Sequence, residues 1–175
     1  MLQHMLCKKN LFLALLFFSA NYVYSQNRLF SVKIDLVAAD YSNVKPVPKT
    51  KFYGVATVSN IQDTSLSFYI LSCGWPRKNW VSMDDSISYE HIGCDNNFPD
   101  RITLQPNQSI KFKVVINNRH VQWNGSNPIQ MGFIYFKTEK ELSDRSMAQK
   151  SIPDSKVFWS NPFFFDDVRI TYKVE

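Results

Sequence analysis

A period of two in the hydrophobic pattern constrains this chain more than any other feature. "FSVKIDL" places Phe30, Val32, Ile34 and Leu36 on one face and Ser31, Lys33 and Asp35 on the other. "IKFKVVI" repeats the arrangement, with Ile110, Phe112, Val114 and Ile116 opposite Lys111 and Lys113. Successive side chains of an extended strand point to opposite faces, so each such segment has one dry side and one wet side. "SLSFYIL" groups Leu66, Phe68 and Ile70, whereas "IQMGFIYF" is apolar on both faces and predicts a strand covered from both sides. Near the C-terminus "VRITYKV" turns Val168, Ile170, Tyr172 and Val174 one way. Asp166-Asp167 interrupts the alternation that begins at Phe164, which predicts a bulge or a bent lead-in.

Helical patterning is sparse. "TEKELSDRSMAQ", Thr138 to Gln149, has helix-forming composition but scattered apolar residues, and predicts a polar excursion with one or two helical turns. Turn chemistry breaks the chain at "VKPVPK", "SNIQDTS", "QPNQS", "NGSNP" and the "SNP" before Phe163. Asn124-Gly125 supplies a positive-φ position between the strand ending near Trp123 and the one starting at Ile129. The expected fold is all-β, two stacked antiparallel sheets of about seven or eight short strands. No internal repeat suggests a solenoid or propeller.

The N-terminus reads as an export signal over residues 1–25, with Lys8 and Lys9 ahead of the apolar run Leu11 to Phe18. That run is shorter than the roughly 20 residues needed to span a bilayer, so no membrane span is expected after cleavage. Cys7 precedes the apolar run and cannot be a lipid-attachment cysteine. Removing 25 of the 175 residues leaves 150, one domain over 26–175 that buries about two-thirds of its unfolded surface. The discarded segment holds two cations and no acid, so the formal charge falls from +5 to +3. With no cationic stripe interleaved with aromatics, nucleic acid is not an expected partner. The expected location is secreted or periplasmic, and the expected state a monomer.

The order "VSNIQDTSLSFYIL", a long loop, then "ITLQPNQSIKFKVVI" resembles the immunoglobulin-like sandwich modules of bacterial secreted proteins. In those modules a strand led by an Asn-containing turn precedes an L-x-P-x-x-S-x-x-F segment, here Leu104, Pro106, Ser109 and Phe112. The chain is also similar to small exported bacterial proteins in which a Cys-Gly/Ser-Trp element precedes Cys-Asp-x-Asn, here Cys73-Gly74-Trp75 and Cys94-Asp95-Asn96-Asn97. The resemblance implies an immunoglobulin-like β-sandwich and no particular reaction.

In an exported chain the two remaining cysteines pair by default. A Cys73–Cys94 disulfide would stabilise the fold by about 3 kcal/mol through loop closure. Within that loop Trp75, Arg77, Lys78 and Trp80 are the ligand-binding candidates: tryptophan faces stack on sugars or peptide side chains, and the cations bind acidic groups. The commoner fate of loop aromatics is to fold back over a sheet edge, and Trp75, beside Cys73, suits that better than Trp80.

Catalytic chemistry has little support. Asp84 and Asp85 are adjacent and point to opposite faces of an extended chain, so with Glu90 they read as a solvated turn. His91 and His120 lack metal-binding spacing, although a tertiary meeting of His91 with Asp95 stays open. Asp95-Asn96-Asn97 and Asp166-Asp167 lack the spaced acids of a calcium loop. The sequons at Asn107 and Asn124 read as turns. No cofactor and no metal are expected. Of three readings, the first is a non-catalytic exported binding or adhesion module that recognises a protein or glycan through the 73–94 loop. The second is a proteinase inhibitor or chaperone-like protein using an exposed edge strand or the 138–156 loop. A hydrolase site assembled only in three dimensions is the third.

Overall fold

A computed structural model describes residues 28–42, 49–90, 97–119, 127–145, 153, 156–168 and 170–172. The expected export signal, Cys94, His91, His120 and the Asn124-Gly125 turn lie outside them. Ten strands occur among the described residues: β1 (Phe30–Ser42), β2 (Lys49–Asn60), β3 (Leu66–Leu71), β4 (Trp80–Ser82), β5 (Ile87–Tyr89), β6 (Pro99–Leu104), β7 (Ser109–Asn118), β8 (Met131–Ile134), β9 (Val157–Trp159) and β10 (Ile170–Tyr172). Two short helices, α1 (Trp75–Lys78) and α2 (Glu139–Asp144), and a 3₁₀ turn at Phe165–Asp167 complete the set. The all-β expectation holds. No helix among the described residues is long and apolar enough to cross a membrane.

The large sheet runs β10-β1-β2-β7-β5, and β3-β6 and β4-β8-β9 form two smaller ones. Two hydrogen bonds tie the smaller sheets together: Tyr69 N donates to Phe136 O (2.9 Å), and the side-chain amide of Asn79, just ahead of β4, donates to Tyr69 O (2.9 Å). Alternation places Phe30, Val32 and Ile34 of β1 and Phe112, Val114 and Ile116 of β7 in the core, facing Phe68 of β3 and Phe133 of β8. Phe30, Phe68 and Phe133 meet edge to face, with centroids 5.2–5.9 Å apart; such pairs add about 0.5–1.5 kcal/mol each beyond burial. One pairing departs from the antiparallel expectation. β10 runs parallel to β1, because the returning chain continues alongside β1 instead of doubling back.

Asn60 explains why the Asn-led turn and the L-x-P-x-x-S-x-x-F segment occur together. Its side chain is fully buried. Its amide donates to the carbonyls of Thr64 (2.8 Å), Leu104 (3.1 Å) and Gln105 (3.1 Å), and its oxygen accepts from Gln62 N (2.9 Å). One residue thus satisfies backbone groups at two of the places where the chain passes between sheets, β2 to β3 and β6 to β7. Asn107, at φ 60°, takes the left-handed position of the second turn, which asparagine tolerates.

β8 is covered on both sides, as its composition requires. Phe133 faces the main core, while Ile134 and Phe136 join Leu142 in a second cluster with Tyr69, Leu71, Val81 and Val157 around it. Leu142 belongs to α2, whose N-terminus is capped by Thr138 Oγ1 accepting from Glu141 N (3.2 Å). The described part of the polar excursion is therefore a lid on β8 and not a protruding loop.

Candidate functional site

The tryptophan-rich stretch is not an open surface. Trp80 starts β4 and is only 4% exposed, its ring packed against Tyr89 (5.2 Å), Phe133 (5.4 Å) and Phe112 (6.0 Å). Trp75 opens α1, is half-buried, and stacks obliquely on Phe112 at 4.8 Å. The expectation that loop aromatics fold back over the sheet holds for both rings, and only their order is corrected: Trp80 packs more deeply than Trp75. The physical cause is the pairing of β4 with the central strand β8, which aligns Trp80 with Phe133. Burial also pushes the Tyr89 phenol well above its ordinary value, so it stays neutral.

The cations of this stretch divide. Arg77 is exposed. Lys78 donates from Nζ to the carbonyls of Leu142 (3.4 Å) and Arg145 at the C-terminal end of α2, while Arg145 Nη1 donates back to Lys78 O. Desolvation, and then the like charge of Arg145, lower the Lys78 pKa, as expected of a cation turned inward as a latch. The carboxylates are equally engaged. Asp84 Oδ1 accepts from the amide (2.9 Å) and hydroxyl (2.5 Å) of Ser86, and Glu90 pairs with Lys51 at 2.9 Å. Among the described residues no group of three His, Cys, Asp or Glu is placed to hold a metal. Cys73 N and Gly74 N both donate to Asn97 Oδ1, at 3.3 and 2.9 Å.

The open site lies elsewhere, on the outer edge of β1. Val32 is bridged in parallel to Ser160, and Asn161 N donates to Val32 O (3.2 Å). Ile34 N then donates to the side-chain oxygen of Asn161 (3.0 Å), so a carboxamide stands in for the next backbone rung. Regular pairing resumes only where Ala38 meets Ile170. The returning chain takes ten residue steps from Ser160 to Ile170 while β1 takes six from Val32 to Ala38, so four residues are looped out.

Two causes produce the excursion. Pro162 has no amide to donate, and Phe163 leaves β1 to exchange backbone hydrogen bonds with Ile129 at 2.9 and 3.0 Å. Phe165 then stacks on Phe52, centroids 3.8 Å apart and planes 13° from parallel. In Phe163-Phe164-Phe165 the outer two rings are buried and the middle one is left half-buried. The result is an open cleft of about 450 Å³ lined by Leu36, Val37, Pro162 and Phe164, with Asp35 and Asp167 among its polar groups.

β1 is bulged at this point. Leu36 pairs with Gly54 and Ala38 with Tyr53, leaving Val37 extra and 51% exposed. Gly54 is required opposite, since a Cβ there would sit 2.6 Å from Asp35 O. Backbone groups alternate sides along a strand, so the Ile34 carbonyl and the Leu36 amide follow Val32 O and Ile34 N on this edge. Among the described residues no strand pairs with β1 there.

None of the cleft residues is among the binding candidates Trp75, Arg77, Lys78 and Trp80. One signal did point here: three consecutive phenylalanines cannot all face one core, so the middle one must face out. Neither a protein-family model nor a curated protein sequence matches the chain; the resemblance to immunoglobulin-like modules rests on the motif residues alone.

Proposed function

We propose that the protein is a non-catalytic binding module that holds a partner at the open edge of β1. The observation that carries this reading is the coincidence of an interrupted strand edge with half-buried apolar side chains in one cleft. Unpaired backbone next to apolar surface is what an incoming polypeptide needs to add to a sheet. The 73–94 loop supports binding less well, because Trp75, Trp80 and Lys78 serve the interior.

Export through residues 1–25, a secreted or periplasmic setting and a Cys73–Cys94 bridge belong to the same proposal. The bridge is supported by Asn97 lying against the backbone of residues 73 and 74; the three residues from there to position 94 span at most about 10 Å. An immunoglobulin-like arrangement is likewise proposed, on the strength of the crossings anchored by Asn60.

The test is site-specific photo-crosslinking in extracts of the source cells and their surroundings, with a photoreactive residue at Val37 or, separately, at Arg77. A partner adduct at Val37 and none at Arg77 is expected. Adducts at Arg77 alone would return the site to the loop.

A further inference from the structure

Resting on that reading, we infer that the β1 cleft takes a short extended peptide that runs parallel to β1, places an apolar side chain beside Phe164 and sets a basic side chain toward Asp35 and Asp167. The direction follows from the flanks. Ser160 and β10 both lie parallel to β1, and Asn161 has already begun a parallel rung with its carboxamide. A peptide continuing that rung meets the Ile34 carbonyl and the Leu36 amide in turn.

The length follows from the interval between Ile34 and Ala38. Four residue steps of strand cover about 13 Å, which admits three or four peptide residues. The charge follows from the carboxylates. Asp35 and Asp167 line the cleft and Asp167 is exposed; among the described residues Asp35 pairs with Lys33 at 2.7 Å, both side chains more than half exposed. Two acids against one described lysine favour a cationic ligand and repel an acidic one. A glycan fits less well: sugar sites use exposed aromatic platforms, and the two described tryptophans nearest the expected loop site are turned inward.

The experiment is titration of the isotopically labelled protein, followed by backbone amide shifts, with acetyl-Lys-Leu-Lys-Leu-amide, its Glu-Leu-Glu-Leu counterpart, and the basic peptide N-methylated at its central lysine. The basic peptide is expected to move the Leu36 and Val37 amides and to bind about tenfold more tightly than the acidic one at low salt. N-methylation is expected to weaken it about fivefold or more, since it removes a ladder donor. In an Asp35→Asn/Asp167→Asn variant the charge preference should shrink to about twofold.

Equal binding of the acidic peptide, shifts confined to another edge such as β5, no shift at all, or saturation by a neutral oligosaccharide instead would each overturn the inference. If Val37 still crosslinks a partner when the peptides leave Leu36 and Val37 unmoved, the ligand class fails and the cleft stands. If the Val37 crosslink fails as well, both fall.

Discussion

The stretch from Trp75 to Trp80 and the edge of β1 from Ile34 to Val37 differ in opposite directions from what their compositions suggest. The first carries two tryptophans, two cations and a cysteine beside it, the composition of a binding loop, and nearly every one of these groups is occupied by the protein itself. Its rings fill the space between β7 and β8, and Lys78 closes the end of α2. The second begins as an ordinary amphipathic strand, yet beyond the Ile34 amide its outer edge has no strand partner among the described residues until Ala38. Aromatic density follows the demand of the core for volume, whereas openness follows a mismatch in residue count between two segments forced to run side by side.

Truncating Trp80 gives the largest expected effect and the most direct way to break this contrast. The ring is almost fully buried among three aromatics, so Trp80→Ala should destabilise the protein by about 3–5 kcal/mol, the range for large aromatic deletions from cores. Denaturant unfolding followed by far-UV circular dichroism measures it. A change below about 0.5 kcal/mol, the size of an ordinary surface substitution, would place the ring outside the core and restore the loop as a candidate site.

How much was legible beforehand can be traced to particular residues. β1, β7 and β8 announce themselves because their apolar side chains are large and their period is clean. The doubly covered nature of β8 is visible in the absence of any polar face between Met131 and Phe136. β2 is harder to see: between Phe52 and Val58 the same face carries Gly54, opposite the bulge, and Ala56, so the middle of its alternation rests on small residues although the strand is central to the large sheet. β4, β5 and β9 are three residues long, too short for a period to show. The cleft was illegible for a different reason. It depends on the register between Ser160–Ile170 and Val32–Ala38, a relation between distant segments that no local pattern encodes. Pro162 is readable as a break and Asp166-Asp167 as a bulge or bend, but not as the wall of a site.

A smaller effect sharpens the contrast from the open side. Asn161→Ala removes the oxygen that accepts from Ile34 N and widens the unpaired edge by one rung. Asn161 itself is exposed and the lost hydrogen bonds are neutral, one from Ile34 N and a longer one to Pro162 O (3.3 Å), so about 1 kcal/mol is expected. The more telling measurement is amide hydrogen exchange. Ile34 should exchange faster while Val58, buried in β2 between β1 and β7, keeps its protection within the limit set by the loss of global stability. Equal acceleration at both would mean that the edge and the sheet open as one unit, and that the cleft is not a locally separable feature.

The smallest effect belongs to the closed side and depends on pH. Glu141 accepts from Lys156 Nζ at 2.9 Å and from the Lys137 amide at 2.8 Å, and these bonds hold its pKa below the ordinary 4.5, the Lys156 hydrogen bond contributing most. A depressed carboxyl stabilises the folded state fully above its unfolded pKa and loses that contribution as pH falls through the folded value. Both partners are more than a third exposed, so solvent screening limits the pair to a few tenths of a kcal/mol. Glu141→Gln should accordingly lower the melting temperature slightly at pH 7, and the difference from the wild type should vanish as pH falls through the lowered folded pKa, beyond which both proteins present an uncharged side chain. The comparison is made by calorimetry at several pH values and at low and high salt, since screening should shrink the pH 7 difference. A difference that persists unchanged into acid would mean that Glu141 holds α2 over β8 through its hydrogen bonds alone, and that charge has no part in keeping this side of the molecule closed.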